Sequence, residues 1–256
     1  MEYASETGIE IVSELKRMNI PIHSIICIGH KFSRKRSELL KQRTGGKYKR
    51  PDFTQLFVDT SIPIYLADHV NNDYCYNLIK SLDIDILVFE GSNIIRKPIY
   101  DLPKIGMLNV HAALLPYFRG CSCMEWSILN DFPLGVTSHF IIRAVDAGPI
   151  IERIQLKYNA EDSYTDLRAK SIYLVGYAMG QAVNKILKQD FCFEDGYNNK
   201  KGKWYSPMKD PNLIAKVENK ISLHKYSPKK IKDNLPLTTV DVELLSGKIK
   251  VINNKQ

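Results

Sequence analysis

The residues whose types and spacing suit chemistry fall within 106–151, GMLNVHAALLPYFRGCSCMEWSILNDFPLGVTSHFIIRAVDAGPII. Asn109 and His111 stand two positions apart, beside the apolar run 107–110. That run reads as the end of a buried strand, whose two-residue period sends both side chains to one face and toward one substrate. Asp146 lies in Val145-Asp146-Ala147-Gly148-Pro149, an acid among turn formers at the start of a second apolar run, Ile150 and Ile151. The trio is an amide, an imidazole and a carboxylate. A lone His in an apolar run is usually a core residue, and an Asp before Ala-Gly-Pro is usually a turn former. Taken singly, each would be read that way.

The same stretch resembles the active-site region of the formyltransferases that use 10-formyltetrahydrofolate. The matching residues run in order: Asn109, His111, Leu114-Leu115-Pro116, Tyr117-Phe118-Arg119-Gly120, Trp126, Gly135-Val136-Thr137-Ser138-His139 and Asp146-Ala147-Gly148-Pro149-Ile150. It departs from the family at Ala112-Ala113 and at Cys121-Ser122-Cys123, neither of which touches the trio. The resemblance implies transfer of a formyl group to a primary amine. In that chemistry the Asn109 amide donates to the developing oxyanion, His111 reinforces it or moves a proton, and Asp146 accepts the amine proton directly or through water. A carboxylate beside His111 favours its charged form. His139 is expected on a strand packed behind the site.

The resemblance further implies a folate pocket formed by Phe89, Gly91, Ile94, Ile95, Val145 and Asp146, with 10-formyltetrahydrofolate as co-substrate and no metal. Arg119-Gly120 followed by Trp126 is closer to the tRNA and amino-sugar branches than to the purine branch, and the short carboxy-terminal part points away from tRNA. The acceptor expected is therefore an anionic, nucleotide-linked amino sugar, with glycinamide ribonucleotide and methionyl-tRNA as alternatives. No nucleic acid other than tRNA and no membrane is expected as partner, and a homodimer is compatible with the family. A formyltetrahydrofolate hydrolase and a degenerate, inactive relative are the readings from other classes.

The elements that must position these residues alternate. Residues 7–18 place Ile9, Val12, Leu15 and Met18 at three-residue steps, a helix that Ser5 can cap. Residues 22–29 and 62–65 read as short strands, the latter edge-like because of Pro63. A helix is expected over 71–82, a strand buried on both faces over 85–89, and a long helix from Asp162 or Ser163 to Lys188. This order predicts an α/β fold, a Rossmann-like and mostly parallel sheet with helices on both faces, whose ligands bind beyond the carboxyl ends of strands. The resemblance adds a first strand before the opening helix; residues 1–5 are too few and too polar to supply it, so the sheet is expected to lack it. The division expected is a catalytic domain over 1–190 and a carboxy-terminal extension over 191–256 with a hairpin at 239–252. Within that extension Trp204-Tyr205 are candidates either to contact substrate or to anchor the segment.

Charge and cysteine content restrict the alternatives. The net charge of +8 is local: residues 31–50 hold nine Lys or Arg against one Glu, leaving 27 of each sign elsewhere. That segment reads as a solvated face or as an attractor for an anionic substrate. Phe32 and Tyr48 are too little aromatic interleaving for a dedicated single-strand binder. Five cysteines, an odd number, suit reduced thiols, and Cys121 with Cys123 lacks the second pair that zinc requires. No apolar run approaches the roughly 20 residues that span a bilayer, and the amino terminus lacks a signal pattern. The compartment expected is the cytoplasm.

Overall fold

The computed structural model describes residues 1–2, 5–29, 34–49, 51–52, 54–58, 61–91, 93–188, 191–199, 202–244 and 246–252. Residues 31–33 and 50 of the basic segment, and the boundary residue 190, lie outside them.

Helix α1 (Glu6–Arg17) opens the described fold, with the Ser5 hydroxyl accepting from Gly8 N and with Ile9, Ile11, Val12 and Leu15 buried along one face. Strand β1 (Ile25–Ile28) follows, and the basic residues then enter helix α2 (Arg34–Arg43). Strand β2 (Ile64–Ala67) follows Pro63 directly and pairs with β1 in parallel; Pro63, which has no N–H to give, joins only through its carbonyl, which accepts from Ile25 N at 2.9 Å. Helix α3 (Asp73–Leu82) is capped by Asn72, whose side chain accepts from Cys75 N. It leads into β3 (Ile86–Val88), which lies parallel to β4 (Gly106–His111).

The chain next forms β5 (Phe118–Gly120), helix α4 (Cys123–Leu129), β6 (Gly135–Phe140) and β7 (Ile150–Leu156). Helix α5 (Tyr164–Leu187) follows, started by a reciprocal capping box between Ser163 and Asp166. Beyond it come β8 (Lys203–Tyr205), helix α6 (Pro211–Ser222), β9 (Thr238–Glu243) and β10 (Lys248–Ile252). Asp210 caps α6 and Pro211 occupies its first turn, where a missing N–H costs nothing.

The main sheet has the order β10-β9-β7-β6-β4-β3. Four of the seven ladders in the described structure are parallel (β1 with β2, β3 with β4, β5 with β8, β7 with β9) and three are antiparallel. The sheet is covered on both faces, as the alternation along β4 shows. Leu108 belongs to the core built with α1 and α5, and Met107 to a second core with Ile79 of α3, Phe89 and Ile95. Strands β9 and β10 form an antiparallel ladder over 239–252, joined to the sheet through β7.

Among the described residues, strands β1 and β2 form a sheet of their own, and β3 ends the main sheet. Met1 and Glu2 lie along β1. The Met1 ammonium donates to Ile26 O at 2.9 Å, Ile28 N donates to Met1 O at 2.8 Å, and Glu2 bridges to Ile28 in parallel. Beyond them lies a cleft of about 500 Å³ between Ile25 and Ile26 on one side and Ile86 and Val88 on the other, with Ile11 and Val183 contributed by the helices. Burial in these apolar surroundings pushes the Met1 amine below its ordinary pKa, partly opposed by the charge of Glu90.

Candidate active site

Strand β4 delivers Asn109 and His111 to one face, and its antiparallel neighbour β6 sets His139 opposite Asn109 and Thr137 opposite His111. The Thr137 hydroxyl donates to Ala113 O at 2.7 Å and accepts from Leu115 N at 2.9 Å, which fixes the turn that leaves β4 just after His111. Asp146 sits in the loop between β6 and β7 with φ +49°, a left-handed conformation uncommon for a residue other than glycine. Neighbouring contacts hold it there. Asn199, only 2% exposed, donates from its amide to Asp146 O at 2.8 Å and to Gly148 O at 3.1 Å. Gly148 is required by close approach, since a Cβ there would lie 1.8 Å from Phe140 O.

Four polar side chains therefore meet. His111 Nδ1 is 3.5 Å from Asp146 Oδ2, His139 Nε2 is 3.8 Å from Asp146 Oδ1, and Asn109 Nδ2 is 3.3 Å from His139 Nε2. Asp146 Oδ2 also accepts from Gly120 N at 2.9 Å.

Hydrogen-bond partners decide where protons sit, because a carbonyl only accepts. His111 Nε2 is 2.9 Å from Phe118 O and so carries a hydrogen. Its Nδ1, facing the carboxylate, then holds a proton only as imidazolium, and His111 with Asp146 forms a pair able to take and return one proton. His139 Nδ1 is 2.8 Å from Phe140 O and likewise carries a hydrogen. Burial pushes His139 down to about 4, against the opposing charge of Asp146, so it is neutral near pH 7 and its Nε2 accepts from Asn109. One amide hydrogen of Asn109 is thereby held and the second is free to face a substrate.

Asn109, His111 and Asp146 line one cleft of about 410 Å³ together with Phe89, Gly91, Ile94, Ile95 and Val145, so every site residue expected from sequence lines the same space. The ring of Phe89 and the side chain of Ile95 are buried, while Ile94 is 60% exposed at the cleft. His139, expected behind the site, also lines it. Asn199 was not foreseen, because an asparagine in a glycine- and asparagine-rich turn carries no signal that separates a clamp from a loop residue. Burial raises the Cys123 thiol well above its ordinary value, with the Asp146 charge adding to the effect, so Cys123 is not a thiolate nucleophile. Among the described residues no group of three or more His, Cys, Asp and Glu is placed to hold a metal ion, and no helix is long and apolar enough to cross a membrane.

The family model described as formyl transferase matches residues 41–182, a span that includes Asn109, His111, His139 and Asp146. The chain belongs to the formyl transferase family. Among curated proteins it is 27% identical over 146 residues to a methionyl-tRNA formyltransferase of Thermodesulfovibrio yellowstonii, covering 56% of this chain and 47% of that protein. The chain spans about half the length, or less, of the curated relatives it matches. Its fold is similar to that of the phosphoribosylglycinamide formyltransferase from Anaplasma phagocytophilum, with a TM-score of 0.57, 18% identity, and 80% and 95% of the two chains covered. It is also similar to a sugar N-formyltransferase from a Shewanella species, with a TM-score of 0.51, 12% identity, and 90% and 96% covered. Asn199, which holds the Asp146 loop, and Trp204, which lines the cleft, lie beyond the matched family span.

Proposed function

We propose that this chain transfers the formyl group of 10-formyltetrahydrofolate to the primary amine of a nucleotide-linked amino sugar. The observation that carries the reading is the convergence of the Asn109 amide, the His111–Asp146 pair and a neutral His139 on one cleft that also has an apolar stretch, Phe89, Ile94, Ile95 and Val145. Phe89, Gly91, Ile94, Ile95 and Val145 supply the apolar side for the folate, and the carboxylate side receives the amine.

The neutral amine nitrogen attacks the formyl carbon and forms the new C–N bond, while the carbonyl electrons move onto oxygen. The free Asn109 N–H donates to that oxyanion, an interaction worth about 3 kcal/mol when such a donor is well placed. The nitrogen then sheds a proton to the Asp146–His111 pair. As the oxyanion collapses, the bond from the formyl carbon to the folate nitrogen breaks, and the pair returns its proton to that nitrogen to release tetrahydrofolate. No covalent enzyme intermediate is needed, which agrees with the protonated state of Cys123. Positive charge on the basic segment, whose described part includes α2, attracts the acceptor's phosphates. Both substrates are soluble, and the cytoplasm is where this reading places the reaction.

Incubation of purified protein with 10-formyltetrahydrofolate and dTDP-4-amino-4,6-dideoxyglucose tests the proposal. A formylated sugar nucleotide and tetrahydrofolate in equal amounts are expected. Consumption of the folate at the same rate without any amine contradicts transfer and indicates hydrolysis.

A further inference from the structure

Strand β8 reaches the cleft through Trp204, and its two aromatic side chains have divided tasks. Tyr205 stacks on Phe118 with centroids 4.9 Å apart and lies 5.3 Å from Trp126. Its carbonyl accepts from Cys121 N at 3.0 Å, and Trp126 Nε1 donates to Ser206 O at 3.0 Å. These contacts anchor the segment without Trp204. The alternation of a strand turns Trp204 away from Tyr205, and there it lines the cleft and remains 55% exposed. Its indole N–H has no hydrogen-bond partner among the described residues.

A single exposed tryptophan is unremarkable. Here it is one of three exposed apolar side chains at the same opening, with Ile94 60% and Val145 38% exposed, each from a different segment. Concave sites lined by apolar groups around a few convergent polar ones are where small molecules bind. The position of the indole also fixes what it can touch. It packs against Gly120, where a Cβ would come within 3.1 Å of Cε2, and Gly120 N is the donor to Asp146 Oδ2. Trp204 is thus one residue removed from the carboxylate that receives the amine proton.

We infer that Trp204 is the platform for the ring that bears the reacting amine, and that this ring is a saturated sugar presenting its C–H face to the indole. The inference rests on the proposed function and adds the acceptor's shape to it. A group so close to Asp146 meets whatever lies next to the nitrogen. An amine on a sugar ring puts ring carbons there, whereas a glycyl or methionyl amine puts an open chain there, which offers the indole little area. The gain is of the kind that aromatic faces give to apolar ligand surface.

The test uses Trp126→Phe, which leaves Trp204 as the sole tryptophan of a chain that has two. Titration with dTDP-4-amino-4,6-dideoxyglucose is expected to quench and blue-shift its emission, while dTDP and glycinamide ribonucleotide leave it unchanged. In the otherwise unmodified chain, Trp204→Ala is expected to raise KM for the amino-sugar nucleotide about tenfold or more. The kcat should stay within about twofold, folate affinity measured by calorimetry should be unchanged, and Trp204→Phe should recover most of the loss. Formyl transfer with unperturbed Trp204 emission overturns the inference and leaves the proposed function standing. A perturbed emission without transfer supports the platform and contradicts the proposed function. A Trp204→Ala variant that loses kcat and folate affinity together with KM, or emission that responds equally to dTDP alone, overturns the platform.

Discussion

Across the ladder between β4 and β6, Asn109 Nδ2 faces His139 Nε2 at 3.3 Å, and that contact determines which amide hydrogen is left for a substrate. A neutral imidazole whose other nitrogen is committed to Phe140 O can only accept from the amide. The amide is oriented before any ligand arrives.

Replacement of Asn109 by Ala removes the proposed oxyanion donor. The kcat for formyl transfer should fall about 10²–10³-fold, with folate affinity little changed. Steady-state kinetics beside calorimetry checks this, and a parallel loss of folate binding would move Asn109 from catalysis to binding.

His139 gives a pH signature. Burial holds its folded-state value at about 4, below the ordinary value of 6.5. At pH above 6.5 the imidazole is neutral in both folded and unfolded chains, and its effect on stability does not vary. Between about 6.5 and 4 the unfolded chain binds the proton and the folded chain does not, so stability falls as pH falls through that window. Thermal unfolding across this range should show the loss, and His139→Gln should flatten it.

Asn199 clamps the loop that holds Asp146 at positive φ. Asn199→Ala leaves the buried Gly148 carbonyl and the half-buried Asp146 carbonyl without this donor, and a loss of about 1–3 kcal/mol of stability is expected in urea unfolding. The kcat should drop more than KM rises, because the substrate is still bound while the proton acceptor is displaced.

That Asn109, His111 and Asp146 line one cleft is legible in sequence because each carries its own context. Asn109 and His111 are fixed to one face by strand periodicity, and Asp146 is marked by turn formers next to an apolar run. The alternation of helices and strands is legible for the same reason, down to the caps at Ser5 and Ser163. What sequence does not carry is partnership across distance. Asn199 and Asp146 are separated by 53 positions, and nothing local in either declares the other. Helix α6 has an Asp cap and Pro in its first turn, yet it follows a turn-rich stretch and was not foreseen. The antiparallel insertion of β6 between β4 and β7 depends on packing that periodicity cannot show.

In the proposed mechanism Asp146, paired with His111, receives the amine proton. Its most direct test is the single-turnover rate of formyl transfer by Asp146→Asn at saturating 10-formyltetrahydrofolate and amino-sugar nucleotide, with folate binding measured on the same sample. A loss of about 10²–10⁴-fold in rate with the folate still bound is expected. A rate within a few-fold of the unmodified chain would contradict it.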